Sequence, residues 1–369
     1  MDIVTAYSTK SNIDDAAKDI SEQLGFFDTE LLLFFASSKF NHDDISKKMQ
    51  ETFPVSSVFG CSTSGEIISG QMLDNSIVAM AFNSQAVKDT KIEVIEDIKN
   101  ENDIKKAFDS FENYYKVPVA QMDPQYYVGI ILVDGLSVAE ESLIEKIGDL
   151  TNVIFIGGSA GDDLKFESTY VYANGKSYTN SAVLALLKPG SEFTFIKTQS
   201  FNDLGKSLEV TEADEEKREV ISFNGKPAAI AYAEAVGTSV EEASNHFMHN
   251  PIGLIVEDEP YVRSPQQILS NGTMKFYCSV SEGMELSLLE STNIIEDTRT
   301  AIKAAKDELG NISGIINFNC ILRTLELKQK NLTDEYGKLF ADVPTIGFST
   351  YGEQYIGHIN QTATMLVFK

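Results

Sequence analysis

The chain has 369 residues, 43% of them hydrophobic, and a formal net charge of −25 at pH 7. A protein this acidic repels phosphate backbones and anionic lipids, which excludes nucleic acid and membrane surfaces as expected partners. No apolar run approaches the roughly 18 residues of a membrane-spanning helix, so we expect no membrane insertion. The first residues lack a signal-peptide pattern, and the three cysteines lie far apart without a CxxC pair. We therefore expect a cytoplasmic protein.

The first part of the chain alternates strand and helix patterns. IVTAYS predicts a strand, and a helix follows near Ile13–Leu24, ended by Gly25. The apolar run LLLFFAS (31–37) predicts a buried strand, and Asn41 caps a helix that continues to about Thr52. A short polar motif and the strand SIVAMAF complete a unit of the form strand, helix, strand, motif, strand.

A second unit follows the same scheme. YYVGIILVDG predicts a strand, and Ser137 with Glu140 predicts a capping box for a helix to about Asp149. NVIFIG leads into a second polar motif, and Asn174-Gly175 marks the turn of a hairpin.

Residues 190–312 are less regular, and a degenerate fourth unit is one interpretation of this stretch. It contains a predicted helix ending near Gly237, the segments NPIGLIVEDEPYVRS and GTMKFYCSV, which are typical of antiparallel strands, and a helix over 291–309. The last unit runs from GIINFNCIL through a helix near Thr333–Ala341 to a third motif and the strand TATMLVF.

The polar motif occurs three times, at Gly60–Glu66, Gly157–Asp162 and Gly347–Glu353, and an Asn opens the next apolar run after each copy (Asn75, Asn180, Asn360). The motif could be a tight turn, in which glycine supplies a positive φ and hydroxyls bond the backbone. It could also be a crevice with backbone donors and one acid, suited to a small polar ligand. Its repetition predicts related units.

These units predict an α/β fold of two modules, each with mixed, largely antiparallel sheets and flanking helices. We place the modules at 1–215 and 216–369, because the charged run EADEEKRE (212–219) is the clearest shift in composition.

Several segments resemble the FIST (F-box and intracellular signal transduction) sensory family, whose members have an N-terminal and a C-terminal module. They are GCSTSGEI, GGSAGDD followed by NSAV, NGKPAAIAYAEAVG, NPIGLIVEDEPYVRSP, FNCILR and GFSTYGEQYIGHINQT. The resemblance implies a non-catalytic sensor of small ligands, with amino acids as the ligand class. It also implies two-component or related signalling through a histidine kinase, a chemoreceptor-type protein or a cyclic-nucleotide output protein. Because the chain ends at its last strand, we expect this output on a separate protein.

The third motif is our main candidate for the ligand site. Alternation in a strand through 315–323 places Asn317, Asn319 and Arg323 on one face. A guanidinium can grip a carboxylate with two hydrogen bonds, and Glu353 could face an ammonium group. Together they would form a clamp for an amino acid; the alternative is that Arg323 and Glu353 pair with each other. The predicted ligand-binding residues are Arg323, Glu353, Ser349, Thr350, Gly352, Asn319, Cys320, Arg263, Cys61, Ser62 and Glu66.

Other chemistry is less favoured. Residues 157–161 fit the hydrolase pattern GxSxG, but a loop and hairpin follow where that pattern requires a helix, so we predict no enzyme. Asp162 and Asp163 lack further ligands, and we predict no metal site. We expect no cofactor, although haem stays open: some FIST relatives resemble haem-binding nitric-oxide sensors, and His246 and His249 lie one helical turn apart.

Overall fold

The structure, a computed structural model, describes all 369 residues and divides into two compact units. Unit 1 comprises Met1–Thr198, Thr298–His358 and Ala363–Lys369, and unit 2 comprises Gln199–Asp297 and Ile359–Thr362. Eight α-helices and several mixed, largely antiparallel sheets confirm the predicted α/β fold class.

The elements follow one another in this order. The first part of unit 1 contains β1 (Ile3–Ser8), α1 (Ile13–Leu24), β2 (Leu31–Ser37), α2 (His42–Thr52), β3 (Ser57–Thr63), β4 (Glu66–Ile68), β5 (Gln71–Leu73), β6 (Ile77–Phe82), β7 (Val87–Ile95), α3 (Glu101–Tyr115), β8 (Val128–Val133), α4 (Glu140–Leu150), β9 (Phe155–Ser159), β10 (Val171–Ala173), β11 (Lys176–Tyr178), β12 (Ala182–Pro189) and β13 (Phe193–Gln199). Unit 2 contains β14 (Phe201–Asp214), β15 (Glu219–Phe223), β16 (Lys226–Pro227), α5 (Ala228–Val236), β17 (Ile252–Val256), β18 (Glu259–Arg263), β19 (Pro265–Ile268), β20 (Met274–Phe276) and β21 (Glu285–Ser291). The remaining elements are α6 (Ile294–Leu309), β22 (Gly314–Cys320), α7 (Ile321–Gln329), α8 (Thr333–Lys338), β23 (Thr345–Thr350), β24 (Glu353–Tyr355), β25 (Gly357–Ile359) and β26 (Thr362–Phe368).

Unit 1 is built from three repeats of one topology. Repeat 1 spans β1–β6, repeat 2 spans β7–β12, and repeat 3 consists of β13 and the elements from α6 to β26. Their strand orders correspond: β1-β6-β2-β3, β7-β12-β8-β9 and β13-β26-β22-β23. In each repeat the last two strands of that order are parallel and in equivalent registers. The predicted scheme of related strand-helix-strand-motif-strand units is therefore present.

Each repeat sends the hairpin that follows its motif to a neighbouring repeat. The β4–β5 hairpin of repeat 1 extends the repeat 3 sheet by pairing with β23. The β24–β25 hairpin of repeat 3 pairs with β9 of repeat 2, and the β10–β11 hairpin of repeat 2 pairs with β3 of repeat 1. This cyclic exchange brings the three motifs together, because each motif lies between a long strand and its exported hairpin.

The inner faces of the three sheets share one hydrophobic core. Phe35 of repeat 1 packs against Phe348 of repeat 3 with ring centroids 4.5 Å apart. The Phe318 ring lies 6.3 Å from the Phe35 ring. Helices cover the outer faces, α1 and α2 on repeat 1 and α3 and α4 on repeat 2. Truncating a buried phenylalanine such as Phe348 to alanine is expected to cost about 3–5 kcal/mol.

Unit 2 is a single antiparallel sheet with strand order β18-β17-β21-β14-β15-β20-β19, packed against α5. It is inserted between β13 and α6 of repeat 3, which explains why the third motif lies so far from the second. The interpretation of this stretch as a fourth unit is wrong. The charged run 212–219, where we predicted the boundary between 1–215 and 216–369, forms the β14–β15 connection inside unit 2. The boundaries of the two compact units therefore differ from those of the predicted modules. The division of the chain into modules 1–215 and 216–369 stays a prediction.

Three local predictions need correction. The strand predicted over 315–323 ends at Cys320, where α7 begins, because Arg323, Thr324 and Leu327 are buried at helical spacing. Ser137 does not cap α4; its hydroxyl donates to the Asp134 carbonyl instead. Asn360, which we grouped with Asn75 and Asn180, is not their equivalent: those two residues have left-handed φ values, and in the third copy that conformation belongs to Gln361 (φ 52°).

Candidate functional site

The three motifs are joined by backbone hydrogen bonds that repeat from copy to copy. The Ser349 amide donates to the Gly65 carbonyl over 2.8 Å, and the Ser159 amide donates to the Gly352 carbonyl over 2.8 Å. The third such bond runs from the Ser62 amide to the Tyr170 carbonyl, over 2.9 Å. Gly65, Gly352 and Tyr170 therefore occupy equivalent positions, each directly before its hairpin.

The motif carboxylates point into the protein. Glu66 is buried and accepts hydrogen bonds from the Thr63 hydroxyl and from the amide and hydroxyl of Ser76. Burial raises the pKa of Glu66 to about 7, although the hydrogen bonds from Ser76 and Thr63 act in the opposite direction. The buried Glu353 accepts a hydrogen bond from the Thr350 hydroxyl, which is the equivalent contact. Both carboxylates thus close the turn of their own motif.

The three equivalent positions before the hairpins differ in what covers them. Tyr170 fills its position with its own ring, which stacks on His42 at 3.8 Å. Gly352 is covered by His358, because a β-carbon there would lie 2.2 Å from the imidazole Cε1. Beside Gly65 the nearest side-chain atoms are polar: the same point lies 3.3 Å from Asp74 Oδ1 and 3.4 Å from Ser349 Oγ. No ring covers Gly65, and a pocket is open there.

This space, which we call the Gly65 pocket, has a volume of about 340 Å³. Repeat 1 contributes the motif glycine and the end of its hairpin, and repeat 3 contributes α7, the start of α8 and the motif serine. The lining residues are Gly65, Met72, Leu73, Asp74, Thr324, Lys328, Thr333 and Ser349.

The two charged residues of the pocket form an ion pair, with Lys328 Nζ 2.8 Å from Asp74 Oδ1. Their side chains are 46% and 54% exposed, respectively. An exposed pair of this kind contributes about 0–1 kcal/mol to stability. Asp74 and Lys328 can therefore each exchange the other for a charged group of a ligand at little cost in stability.

A buried polar network supports the inner wall of the pocket. Asn319 donates from Nδ2 to the Thr324 hydroxyl over 3.0 Å, and its Oδ1 accepts from the Tyr336 hydroxyl over 3.0 Å. Arg323 donates from Nε to the same Oδ1 over 3.1 Å and from Nη2 to the Thr298 hydroxyl over 3.1 Å. The amide of Asn319 is thereby fixed, and Thr324 is held in place.

The hydroxyls of Thr324 and Ser349 lie 2.7 Å apart and share one hydrogen bond. Thr324 also accepts the hydrogen bond from Asn319, so whichever hydroxyl donates within the pair, the other keeps a proton to donate. Both residues line the Gly65 pocket. Both residues are buried, so the hydroxyl pair with its one remaining proton lies at the inner wall of the pocket, behind the exposed cation and carboxylate.

Of the residues predicted at the third motif, Ser349 lines the pocket and Asn319 lies directly behind it. Arg323 belongs to the first turn of α7 and not to a strand, and it is buried within the polar network. Thr350 and Glu353 bond to each other, and Gly352 lies beneath His358. Cys320 is buried at the end of β22. The clamp of Arg323 and Glu353 stays a prediction.

The remaining predicted residues lie elsewhere. Cys61 faces the central core, where burial raises the pKa of its thiol well above the usual value. The Ser62 hydroxyl donates to the Gly161 carbonyl and accepts from the Tyr170 amide, so it joins the motifs of repeats 1 and 2. Arg263 ends β18 in unit 2, where its Nε is buried without a hydrogen-bond partner.

Asp74, Thr324 and Lys328 were not predicted. Thr324 and Lys328 are four residues apart, so they lie on one face of α7, but this spacing carries meaning only once the segment is known to be a helix. Asp74 directly precedes Asn75 after the hairpin. Nothing in the sequence alone places it opposite α7, since that contact depends on the exchange of hairpins.

The Gly65 pocket does not suit haem. Haem iron is held by His, Cys, Met or Tyr, and of these only Met72 lines the pocket. His246 and His249 lie in unit 2 on a 3-10 turn (Ala243–His246) and the residues after it, not on an α-helix. Their Nδ1 atoms lie 3.4 Å from Asn250 Oδ1 and 3.5 Å from the Ser291 hydroxyl, respectively.

Comparisons with known proteins agree with this architecture. An uncharacterized protein of Methanocaldococcus jannaschii is 20% identical over 297 residues, which is 75% of this chain and 56% of the relative. The chain thus spans about half the length of this curated relative. No helix combines the length and apolar character needed to cross a membrane. The FIST N domain model matches residues 30–226 and the FIST C domain model matches residues 228–356. The chain therefore belongs to the FIST family, whose domains are sensors in signal transduction.

Proposed function

We propose that the protein senses an amino acid bound in the Gly65 pocket and signals through a separate output protein. The observation that carries the proposal is the convergence of Lys328, Asp74 and the Ser349–Thr324 hydroxyl pair around one open pocket. A histidine kinase, a chemoreceptor-type protein or a cyclic-nucleotide output protein would receive the signal.

The groups match the ends of an amino acid. The ammonium group of the ligand replaces Lys328 as the partner of Asp74, and the ligand carboxylate binds Lys328 and the free hydroxyl proton. Met72 and Leu73 leave an apolar wall for the ligand side chain. The net charge of −25 also favours a zwitterion, because a ligand with no net charge is not repelled as a simple anion would be.

Sensing follows from the position of the pocket between two repeats. The ligand contacts the hairpin of repeat 1 through Asp74 and the helices of repeat 3 through Thr324 and Lys328. Binding shifts the protein only if these elements take a second arrangement to which the ligand binds with different affinity. We therefore expect occupancy to tighten the contact of the β4–β5 hairpin with α8.

A thermal-shift screen of the purified chain against single amino acids tests the proposal. A specific ligand at 100 times its dissociation constant adds about 2.7 kcal/mol, which is a shift of several degrees for a unit of this size. The Lys328→Met variant should lose the shift. Lys106→Met is the matched control, since the 74% exposed Lys106 pairs with Asp103 at 2.7 Å on α3, outside the pocket. A shift that survives Lys328→Met would refute the proposed site.

A further inference from the structure

Repeat 2 carries a loop that the other two repeats lack. In repeats 1 and 3 the hairpin begins four residues after the motif serine, at Glu66 after Ser62 and at Glu353 after Ser349. In repeat 2 the serine is Ser159 and the hairpin begins only at Val171. The two shorter copies make the same connection, so the fold does not require the additional residues. We call residues 160–169 the repeat 2 loop.

The repeat 2 loop is held in one conformation by its own hydrogen bonds. The Asp162 carboxylate accepts from the amides of Phe166, Glu167 and Ser168, at 3.0, 2.7 and 3.1 Å. The Tyr351 hydroxyl donates to the same carboxylate and accepts from the Leu164 amide over 2.7 Å. Burial, and then the hydrogen bond to Asp162, raise the pKa of Tyr351, so the phenol keeps the proton it donates.

This conformation presents apolar side chains to solvent. Leu164 is 39% exposed and Phe166 is 47% exposed, and the Phe166 ring stacks on Tyr351 with centroids 5.2 Å apart. Asp163, Leu164 and Phe166 all have left-handed φ values, of 57°, 62° and 54°. Each such residue other than glycine costs about 1–2 kcal/mol. An ordered, strained loop that exposes a leucine and a phenylalanine has the properties of a binding surface.

We propose that the repeat 2 loop docks a basic protein segment that carries apolar side chains. Charge selects this occupant: the exposed acids Asp163 and Glu167 flank the apolar pair and outnumber the one exposed lysine between them, Lys165, and the whole chain carries a net charge of −25. A basic segment is attracted to this surface from a distance, and its apolar side chains cover Leu164 and Phe166. The ordered loop lowers the entropic cost of binding, since little of it has to be fixed.

The surface is connected to the Gly65 pocket through the third motif. Tyr351, which holds the loop, lies two residues after Ser349, which lines the pocket. Docking of a basic segment at this surface does not require a ligand in the Gly65 pocket. Only the role of the docked partner as the output protein rests on the proposed function.

A fluorescein-labelled amphipathic helix of leucine and lysine serves as the probe, and fluorescence anisotropy gives its affinity for the full chain. We expect Phe166→Ala to weaken binding by about tenfold or more, as the loss of a central anchor does. Phe26→Ala is the matched control, because Phe26 is fully exposed elsewhere in unit 1, and it should leave the affinity unchanged. A leucine–glutamate version of the peptide should not bind.

Equal affinity for wild type and Phe166→Ala, or equal binding of the glutamate peptide, would overturn the proposal. A dimer that Phe166→Ala converts to a monomer in sedimentation would also overturn it, because the occupant would then be a second copy. Leu164→Ser is a second variant in case Phe166→Ala fails to fold. An amino acid that stabilises wild type should stabilise Phe166→Ala equally, so failure of the docking surface is distinguishable from failure of the pocket.

Discussion

Glu66 allows a quantitative test of how a buried motif carboxylate affects stability. The side chain is fully buried, and its partners Thr63 and Ser76 are uncharged. The pKa of Glu66 is raised from 4.5 to about 7 because burial penalises the carboxylate. The folded protein therefore holds this proton more tightly than the unfolded chain does. Replacing Glu66 with glutamine keeps the shape and removes the ionisation.

The sign of the effect follows from linkage. Below pH 4.5 the group is protonated in both states and its ionisation has no effect on stability. As pH rises from 4.5 to about 7, the unfolded chain loses the proton first and stability falls. At 1.36 kcal/mol per pKa unit, the full loss above pH 7 is about 3 kcal/mol. The Glu66→Gln variant does not undergo this loss. Its free energy of unfolding, relative to that of wild type, should therefore increase by up to about 3 kcal/mol between pH 5 and pH 8.

Urea unfolding of wild type and Glu66→Gln at half-unit intervals from pH 5 to pH 8.5 measures this difference directly. The other acidic residues are common to both proteins and cancel. Glu22→Gln, on an exposed position of α1, is the control and should remain parallel to wild type. A Glu66→Gln advantage that does not change with pH, or that falls as pH rises, would refute the reasoning.

Four further outcomes are expected. Gly352→Ala should lower the free energy of unfolding in urea by about 1–3 kcal/mol, because the new β-carbon meets the His358 ring. Adding His358→Ala should restore part of this loss. A double variant whose loss is the simple sum of the two single losses would contradict this contact. Ile356→Gly should raise the free energy of unfolding by about 1 kcal/mol, since this 76% exposed, β-branched residue has a φ of 61°. A lower melting temperature for Ile356→Gly would contradict this expectation. Arg323→Ala should destabilise the fold by about 2–4 kcal/mol, because Asn319 and Thr298 lose a buried partner, and an unchanged melting curve would count against the network. Haemin should produce no Soret shift that saturates at one equivalent, and a saturating shift would support a haem sensor.

Much of the fold could be predicted from local patterns. The helix Ile13–Leu24 with Gly25 after it, and the hairpin turn at Asn174-Gly175, lie where their residues predict. These features are local: a cap, an apolar stripe and a turn each depend on a few neighbouring residues. The three copies of the motif likewise indicated related units, since each copy is a contiguous segment.

The site was only partly predictable, because its residues meet through long-range pairing. Ser349 was predicted and lines the pocket, but the alternation that suggested a strand to Arg323 ends at Cys320. The three motifs look alike in sequence, yet the positions before their hairpins are covered differently. Tyr170 fills its position with its own ring and His358 of β25 covers Gly352, whereas Gly65 is left open. The motif residues themselves do not indicate this difference.

The central claim is that one amino acid bridges Asp74 and Lys328, and calorimetric titration of the best ligand with two analogues tests it most directly. One analogue lacks the carboxylate and the other lacks the ammonium group. For wild type, both should bind more weakly than the intact amino acid. For Lys328→Met, loss of the ligand carboxylate should have little further effect, because its charged partner is already gone. Asp74→Asn should behave likewise for the ammonium group. Additive losses in both variants would contradict the account.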